Sequence, residues 1–243
     1  MKINFMSGAI VSAYLLICGV LYLWGFWMHF GLNILQFVDT SDIVKATLIP
    51  VVGAIIMFIV QALLNEYNAP KSEQTKRFIQ AGGVFKIYAY FQYTLVILMG
   101  VGAVLLLGYA LFTVDRFERY CIYALGLGFV VFYMIQSKTT FLSELNQARG
   151  LVLFITSLLP ALFFSHGIFD GKNVFQGVNT YLVDTNTPCS ENKNEKFRYI
   201  ANLSNKMFSL SLADGSICIQ NYEYLRLKKE NAKPEPVVEE IKK

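Results

Sequence analysis

The residues able to do chemistry in this chain are few and widely spaced. The only histidines are His29 and His166. Each ends a long apolar run, so in a membrane the two would sit at similar depth. Two imidazoles so placed are what the axial pair of a haem requires. The plainer reading is an interfacial histidine at each helix end, and no cofactor is expected. Ser165 adjoins His166, but no carboxylate is placed to orient that imidazole, so a Ser-His-Asp unit is not expected. No Walker loop, GxGxxG, HExxH or CxxC pattern occurs. No Asp, Glu, Lys or Arg lies at the centre of an apolar run, and the deepest polar groups are Gln61 and Gln92. That argues against a proton-coupled pump. No enzyme is expected.

The four cysteines are of two kinds. Cys18 and Cys121 lie in apolar runs, where a thiol behaves as a small hydrophobe. Cys189, in TNTPCSENKN, and Cys218, in SICIQ, lie in a polar region. In an oxidising compartment they are expected to pair. The closed loop of roughly 30 residues would contribute about 3–4 kcal/mol by the chain-entropy model. Asn202-Leu203-Ser204 fits a glycosylation sequon, which has meaning only in a eukaryotic cell.

What positions these residues is a series of apolar segments. Ile87 to Val114 runs 28 residues without a charge. As a helix it reaches about 40 Å, more than the roughly 30 Å hydrocarbon core of a bilayer. Similar segments run from Ala9 to His29, Ile43 to Leu64, Tyr120 to Gln136 and Gly150 to Phe169. The first is too long for the apolar part of a signal peptide and is expected to remain uncleaved. The predicted fold is therefore a membrane all-α bundle of about five transmembrane helices over residues 1–169. Pro50 and Pro160 fall inside two of the spans and predict kinks. Gly8 with Ser12, Ala9 with Ala13, and Ala124 with Gly128 are small residues one turn apart, a spacing that lets helices approach closely in lipid. Gly100, Gly102, Ala103 and Gly108 mark the middle of the third span. The connector from Phe30 to Asp42 is too apolar for a free loop and is expected at the interface, with Thr40, Ser41 and Asp42 offered as helix caps.

Charge is concentrated elsewhere. Of the 38 charged residues, 21 fall in the last 74 positions. Residues 170–229 carry short alternating stretches at Asn179 to Val183, Lys196 to Ile200, Lys206 to Leu212, Ser216 to Gln220 and Tyr222 to Leu227. These predict a small C-terminal β-rich domain. Asp214-Gly215 predicts a hairpin. Residues 230–243, with their charge and proline, predict a disordered tail. A net charge of +4, scattered, gives no reason to expect nucleic acid.

The expected partners are the lipid bilayer and either another membrane protein or a second copy. The expected function is a non-enzymatic interaction protein, as a membrane-complex subunit or a toxin-immunity-like binder. The alternative is an oligomeric channel or pore-forming effector. With five spans, the short loops on the N-terminal side carry seven Lys or Arg and those opposite at most three. The basic side stays in the cytoplasm, so the C-terminal domain lies outside, as in the periplasm of a cell with a bacterial inner membrane. Alkaline phosphatase fused to the C-terminus should therefore be active and a fluorescent-protein fusion dark. The reverse pattern would require an even number of spans.

Overall fold

The computed structural model describes residues 5–68, 79–80, 82–140, 149–184, 189, 195–222 and 224–230. The polar loops around Lys71 and Glu144, the tail 231–243 and the side chains of Gln61 and Gln92 lie outside the described residues. The chain is mostly helical with a small antiparallel sheet at its C-terminal end. Helices α1 (Phe5–Trp27), α2 (Thr40–Asn68), α3 (Gly83–Thr113), α4 (Arg116–Lys138) and α5 (Arg149–Gln176) precede strands β1 (Tyr181–Val183), β2 (Phe197–Leu203), β3 (Lys206–Ser211), β4 (Ile217–Asn221) and β5 (Leu227–Lys229). Among the described residues three segments are long and apolar enough to cross a membrane: Gly8–Phe30, Arg116–Lys138 and Val152–Gln176.

Helix α5 is the centre of the bundle, with α1 on one side and α4 on the other. Lipid offers no hydrophobic drive between helices, so close backbone packing must hold them together. The seam between α1 and α5 achieves this with Gly167 and Gly171, one turn apart on α5. A Cβ at Gly167 would collide with the Tyr22 carbonyl, and one at Gly171 with the Phe26 carbonyl. Gly25 returns the contact from α1 against Phe164. Gly128 of α4 packs likewise on Leu158. Gly8, Gly102 and Gly108 meet nothing within 4 Å, so these expected contact residues are not used inside the bundle. Helix α3 packs mainly on α4, to which a short turn joins it, and leaves Leu98, Leu105, Tyr109 and Phe112 exposed.

Both prolines sit within continuous helices. Pro160 cannot donate to the Thr156 carbonyl one turn earlier. The Tyr14 hydroxyl of α1 donates to that oxygen instead, at 2.5 Å. The freed group thus becomes an interhelical tie, the means by which a membrane helix tolerates proline.

The connector between α1 and α2 carries no α-helix. Two 3-10 turns, Met28–Phe30 and Ile34–Gln36, fold it back, with Gly31 left-handed at φ +65°. Ile34 is buried while Leu35 is exposed. The start of α2 also differs from expectation. Asp39 precedes the helix, and its N–H donates to the Asp42 carboxylate. This is one half of a capping box.

The sheet has strand order β4-β3-β2-β1-β5, antiparallel throughout. The Asp214-Gly215 hairpin joins β3 to β4. A tighter hairpin joins β2 to β3 through Ser204 and Asn205, with φ values of 49° and 60°, as a two-residue type I′ turn needs. The last strand is Leu227–Lys229 rather than Tyr222 to Leu227, because β5 pairs with β1 at the opposite edge from β4. Four inter-strand gaps amount to about 19 Å, and the six steps from Asn221 to Leu227 reach about 20 Å. That connection has no slack to form a strand.

The sheet is not a separate β domain hung on a bundle. Ile200, Leu203, Phe208 and Leu210 share one buried core with Leu23, Phe26, Trp27 and Ile34. The Phe208 ring meets Trp27 edge-on at 5.1 Å and Phe37 at 5.8 Å. The division expected at residue 170 is crossed by α5, which continues to Gln176 and carries Val174 and Phe175 into this core.

The seam and the shared core predict one coupled behaviour. Gly171→Leu should separate α1 from α5 and release Trp27 from Phe208. The expected readout is a red shift and stronger quenching of tryptophan fluorescence in the solubilised protein, with Gly102→Leu, on α3, unchanged.

Candidate functional site

The polar residues that the fold brings together lie at one end of the bundle, beneath and within the sheet. At the centre is Arg198 of β2, whose side chain is 3% exposed. It faces the helices because it lies opposite Leu210 of β3. Its Nη1 donates to the Phe175 carbonyl at 2.7 Å, in the last turn of α5. Its Nε and Nη2 donate to the two Glu230 carboxylate oxygens at 2.8 and 2.6 Å, a two-pronged pair. The Thr180 hydroxyl donates to the same carboxylate, and the Glu230 N–H to the Thr180 carbonyl. Gly177 passes over the guanidinium at φ +80°, where a Cβ would lie 2.5 Å from Nη2. Glycine is therefore required twice there, for backbone angle and for space. Glu230, expected in the disordered tail, belongs to the fold.

A second tie joins the sheet to α2. Asp42 is buried and accepts from the Ser204 N–H and hydroxyl, both at 2.9 Å. The tight turn between β2 and β3 is thereby bonded to the first turn of α2. A third group sits where α4 meets α5. Lys172 bonds Asp115 at 3.1 Å and Glu118 at 2.5 Å.

The two histidines have separate surroundings. His29 Nε2 is 3.0 Å from the Ile168 carbonyl, which acts as its acceptor, and the ring packs on Phe117 at 4.5 Å. His166 is half exposed, with Nε2 3.6 Å from Asp170 Oδ2. The Tyr22 hydroxyl donates to that same oxygen at 2.8 Å. The expectation that no carboxylate accompanies His166 is thus corrected: Asp170 stands one turn along α5. It does not complete a nucleophilic unit, because the Ser165 hydroxyl is buried without a hydrogen-bond partner. His29 lies toward α4 and His166 beside Tyr22, on different flanks of the α1–α5 seam. Among the described residues no cluster of three or more His, Cys, Asp or Glu is placed to hold a metal.

Cys189 and Cys218 lie at disulfide distance, with Cα atoms 6.0 Å apart. Cys18 and Cys121 are buried and unpaired. Cys218 stands in register with Ser209 and, through it, Tyr199. This row is on the face of the sheet away from the helices. Near it the exposed turn carboxyl of Asp214 is held down to about 2 by hydrogen bonds, first from the Ser216 N–H and then from the Ser211 and Ser216 hydroxyls.

Between α1, α4 and α5 a groove of about 670 Å³ opens on the flank of the bundle. Ile135 and Val152 stand at one end, and Trp24 and Phe164 at the other. Pro160 and Ala124 lie between them. The Thr156 hydroxyl turns back to bond the Val152 carbonyl, which leaves the wall apolar.

Comparison with protein-family models, with curated proteins and with solved structures finds no match to this chain.

Burial alone would raise the Glu230 carboxyl, but the bonds from Arg198 and Thr180 and the Arg198 charge outweigh it and hold it below its ordinary value. A carboxyl depressed in the folded state stabilises fully above its ordinary range and loses that contribution as pH falls through its folded value. Acidification to about pH 4 and below should therefore loosen the sheet before it affects helix content. Glu230→Gln leaves a buried guanidinium uncompensated, at a cost of about 3–5 kcal/mol. Thermal unfolding of the sheet, followed by near-UV circular dichroism against pH, should show the variant weaker at pH 7 and its acid limb flattened.

Proposed function

We propose that this chain is a multi-pass membrane protein of the non-enzymatic interaction class, with five spans, a cytoplasmic N-terminus and the sheet outside. A membrane-complex subunit or a toxin-immunity-like binder fits this reading. The observation that carries it is the way the sheet is joined to the bundle. A module on a flexible linker would need no buried Arg198–Glu230 pair and no Asp42 bond to Ser204. A surface held rigidly at a fixed height suits recognition, because little ordering entropy is lost when a partner binds. The pairing geometry of Cys189 and Cys218 supports an oxidising side for the sheet. That agrees with the bias of basic residues toward the opposite loops, and a bacterial inner membrane would supply both conditions.

The second reading, an oligomeric channel, is favoured by α3. Its exposed Leu98, Leu105 and Phe112 offer a helix for self-association. A single chain with its bundle closed around α5 has no room for a pore, so this reading requires a ring.

Crosslinking of the full chain in native membranes, followed by affinity capture, separates the two. The interaction reading expects one discrete heterologous partner that is lost in Arg198→Ala while the helices remain inserted. Capture of nothing but further copies of the chain, together with conductance in planar bilayers, would replace it with the channel.

A further inference from the structure

The two edges of the sheet are built differently. The β5 edge is exposed throughout and carries Lys228 and Lys229. Charge along an edge opposes pairing with another strand. The β4 edge reads Ile217-Cys218-Ile219-Gln220-Asn221, without a charge. Among the described residues β3 is the only strand beside it. The Ser211 N–H donates to the Ser216 carbonyl, just beyond the Leu210–Ile217 pair of the same ladder. Bonded and unbonded pairs alternate along an antiparallel ladder. Cys218 and Gln220 therefore turn their backbone groups toward β3. Ile217, Ile219 and Asn221 turn theirs to the open edge. The disulfide at Cys218 leaves from the far face, not along that edge.

The outward groups are self-complementary. When β4 meets a second β4 antiparallel about Ile219, Ile219 exchanges N–H···O bonds with its counterpart. Ile217 does so with the counterpart of Asn221, so every outward group of the strand is met. Ile219 then faces Ile219 on the helix side of the sheet, where Ile217 and Ile219 already pack partly buried against the core. No like charges are opposed. The bilayer selects the same arrangement. The helix side of the sheet rests on α1, α2 and α5, so two copies in one membrane hold it toward the same surface. Each neighbouring pair of strands is antiparallel, so β4 and β5 run in one direction. Translation of one copy would set β5 beside β4 in parallel, as an open row. A two-fold axis along the membrane normal sets β4 against β4 and closes the pair. Anchoring at a common height also removes part of the orientational cost of association.

We propose that the β4 edge binds the β4 edge of a second copy, so that two chains share one continuous sheet. The two-fold placement rests on the membrane reading of the chain. The test uses the full chain in native membranes with Cys18→Ala and Cys121→Ala, which leaves an added thiol as the only free one. Across the axis the Cα atoms at position 219 lie about 5.5 Å apart, within reach of a disulfide. Mild oxidation of Ile219→Cys should convert the chain to a dimer on a non-reducing gel, while Lys229→Cys on the other edge stays monomeric. Asn221→Pro removes an outward N–H, leaves the β3 ladder whole and should abolish the Ile219→Cys crosslink. If Ile219→Cys does not insert, Ile217→Cys combined with Asn221→Cys should give the same dimer. A monomer in both cases overturns the proposal, as does a crosslink undiminished by Asn221→Pro. Capture of a different protein by the introduced thiol, or a dimer from Lys229→Cys in place of Ile219→Cys, also overturns it. Carbonate extraction of the wild-type chain is scored separately. Its release would overturn the membrane reading itself, and the two-fold placement with it.

Discussion

A guanidinium cannot be buried in a protein unless its charge is balanced and its donors are met. Arg198 satisfies that condition with the Phe175 carbonyl in the last turn of α5 and with Glu230 after β5, whose carboxylate is held in turn by Thr180 before β1. The consequence is topological. Strand β5 must return to the β1 edge for Glu230 to arrive, and the connection from β4 must cross the sheet to bring it there. The helix must stop at Gln176, because its carbonyl end and Gly177 are held against the guanidinium. Removing the arginine would therefore disturb the end of a helix, the order of a sheet and the seat of Glu230 together.

That lock is useful because the sheet is too small to stand alone. Its strands are three to seven residues long, and one of its faces is completed by α1, α2 and the folded connector. The bundle in turn cannot rely on solvent to drive its helices together. It relies on backbone contact at Gly167 and Gly171, and on the Tyr14 bond to the carbonyl that Pro160 leaves open. The α1–α5 seam ends at Trp27, and Trp27 is where the sheet docks. Packing within the membrane and order outside it are thus one mechanical problem, solved along one helix pair.

Much of this was legible in the sequence. Long uncharged runs revealed helices by length alone, and alternation in MFSLS with a following Asp-Gly turn revealed β3 and its hairpin. The helix ends were less legible, because hydropathy records where lipid stops and α5 runs on for two more turns to meet the sheet. The same limit hid Gly167 and Gly171. Their spacing is as visible as that of Gly8 and Ser12, but nothing in a sequence says which small residues face a neighbour. Asp170 was overlooked beside His166 because the pairing operates at one helical turn, not between adjacent residues. Glu230 stood in a charged, proline-containing stretch, and a buried carboxylate is distinguishable from a solvated one only when its partner is known. The signal that could have found it was Arg198, a charge in a strand whose neighbours alternate toward a core.

Several charges at the sheet end of the bundle are used internally. Asp42 is bonded to Ser204, Lys172 to Asp115 and Glu118, and Asp170 to Tyr22 and His166. A partner drawing on any of these would have to break an existing bond and desolvate what remained. The bundle end is therefore a platform on which the sheet is fixed. Helix α3 stands apart from this arrangement, with exposed apolar side chains and α4 as its main neighbour. Among the described residues α3 contributes neither to the Gly167 seam nor to the core around Phe208.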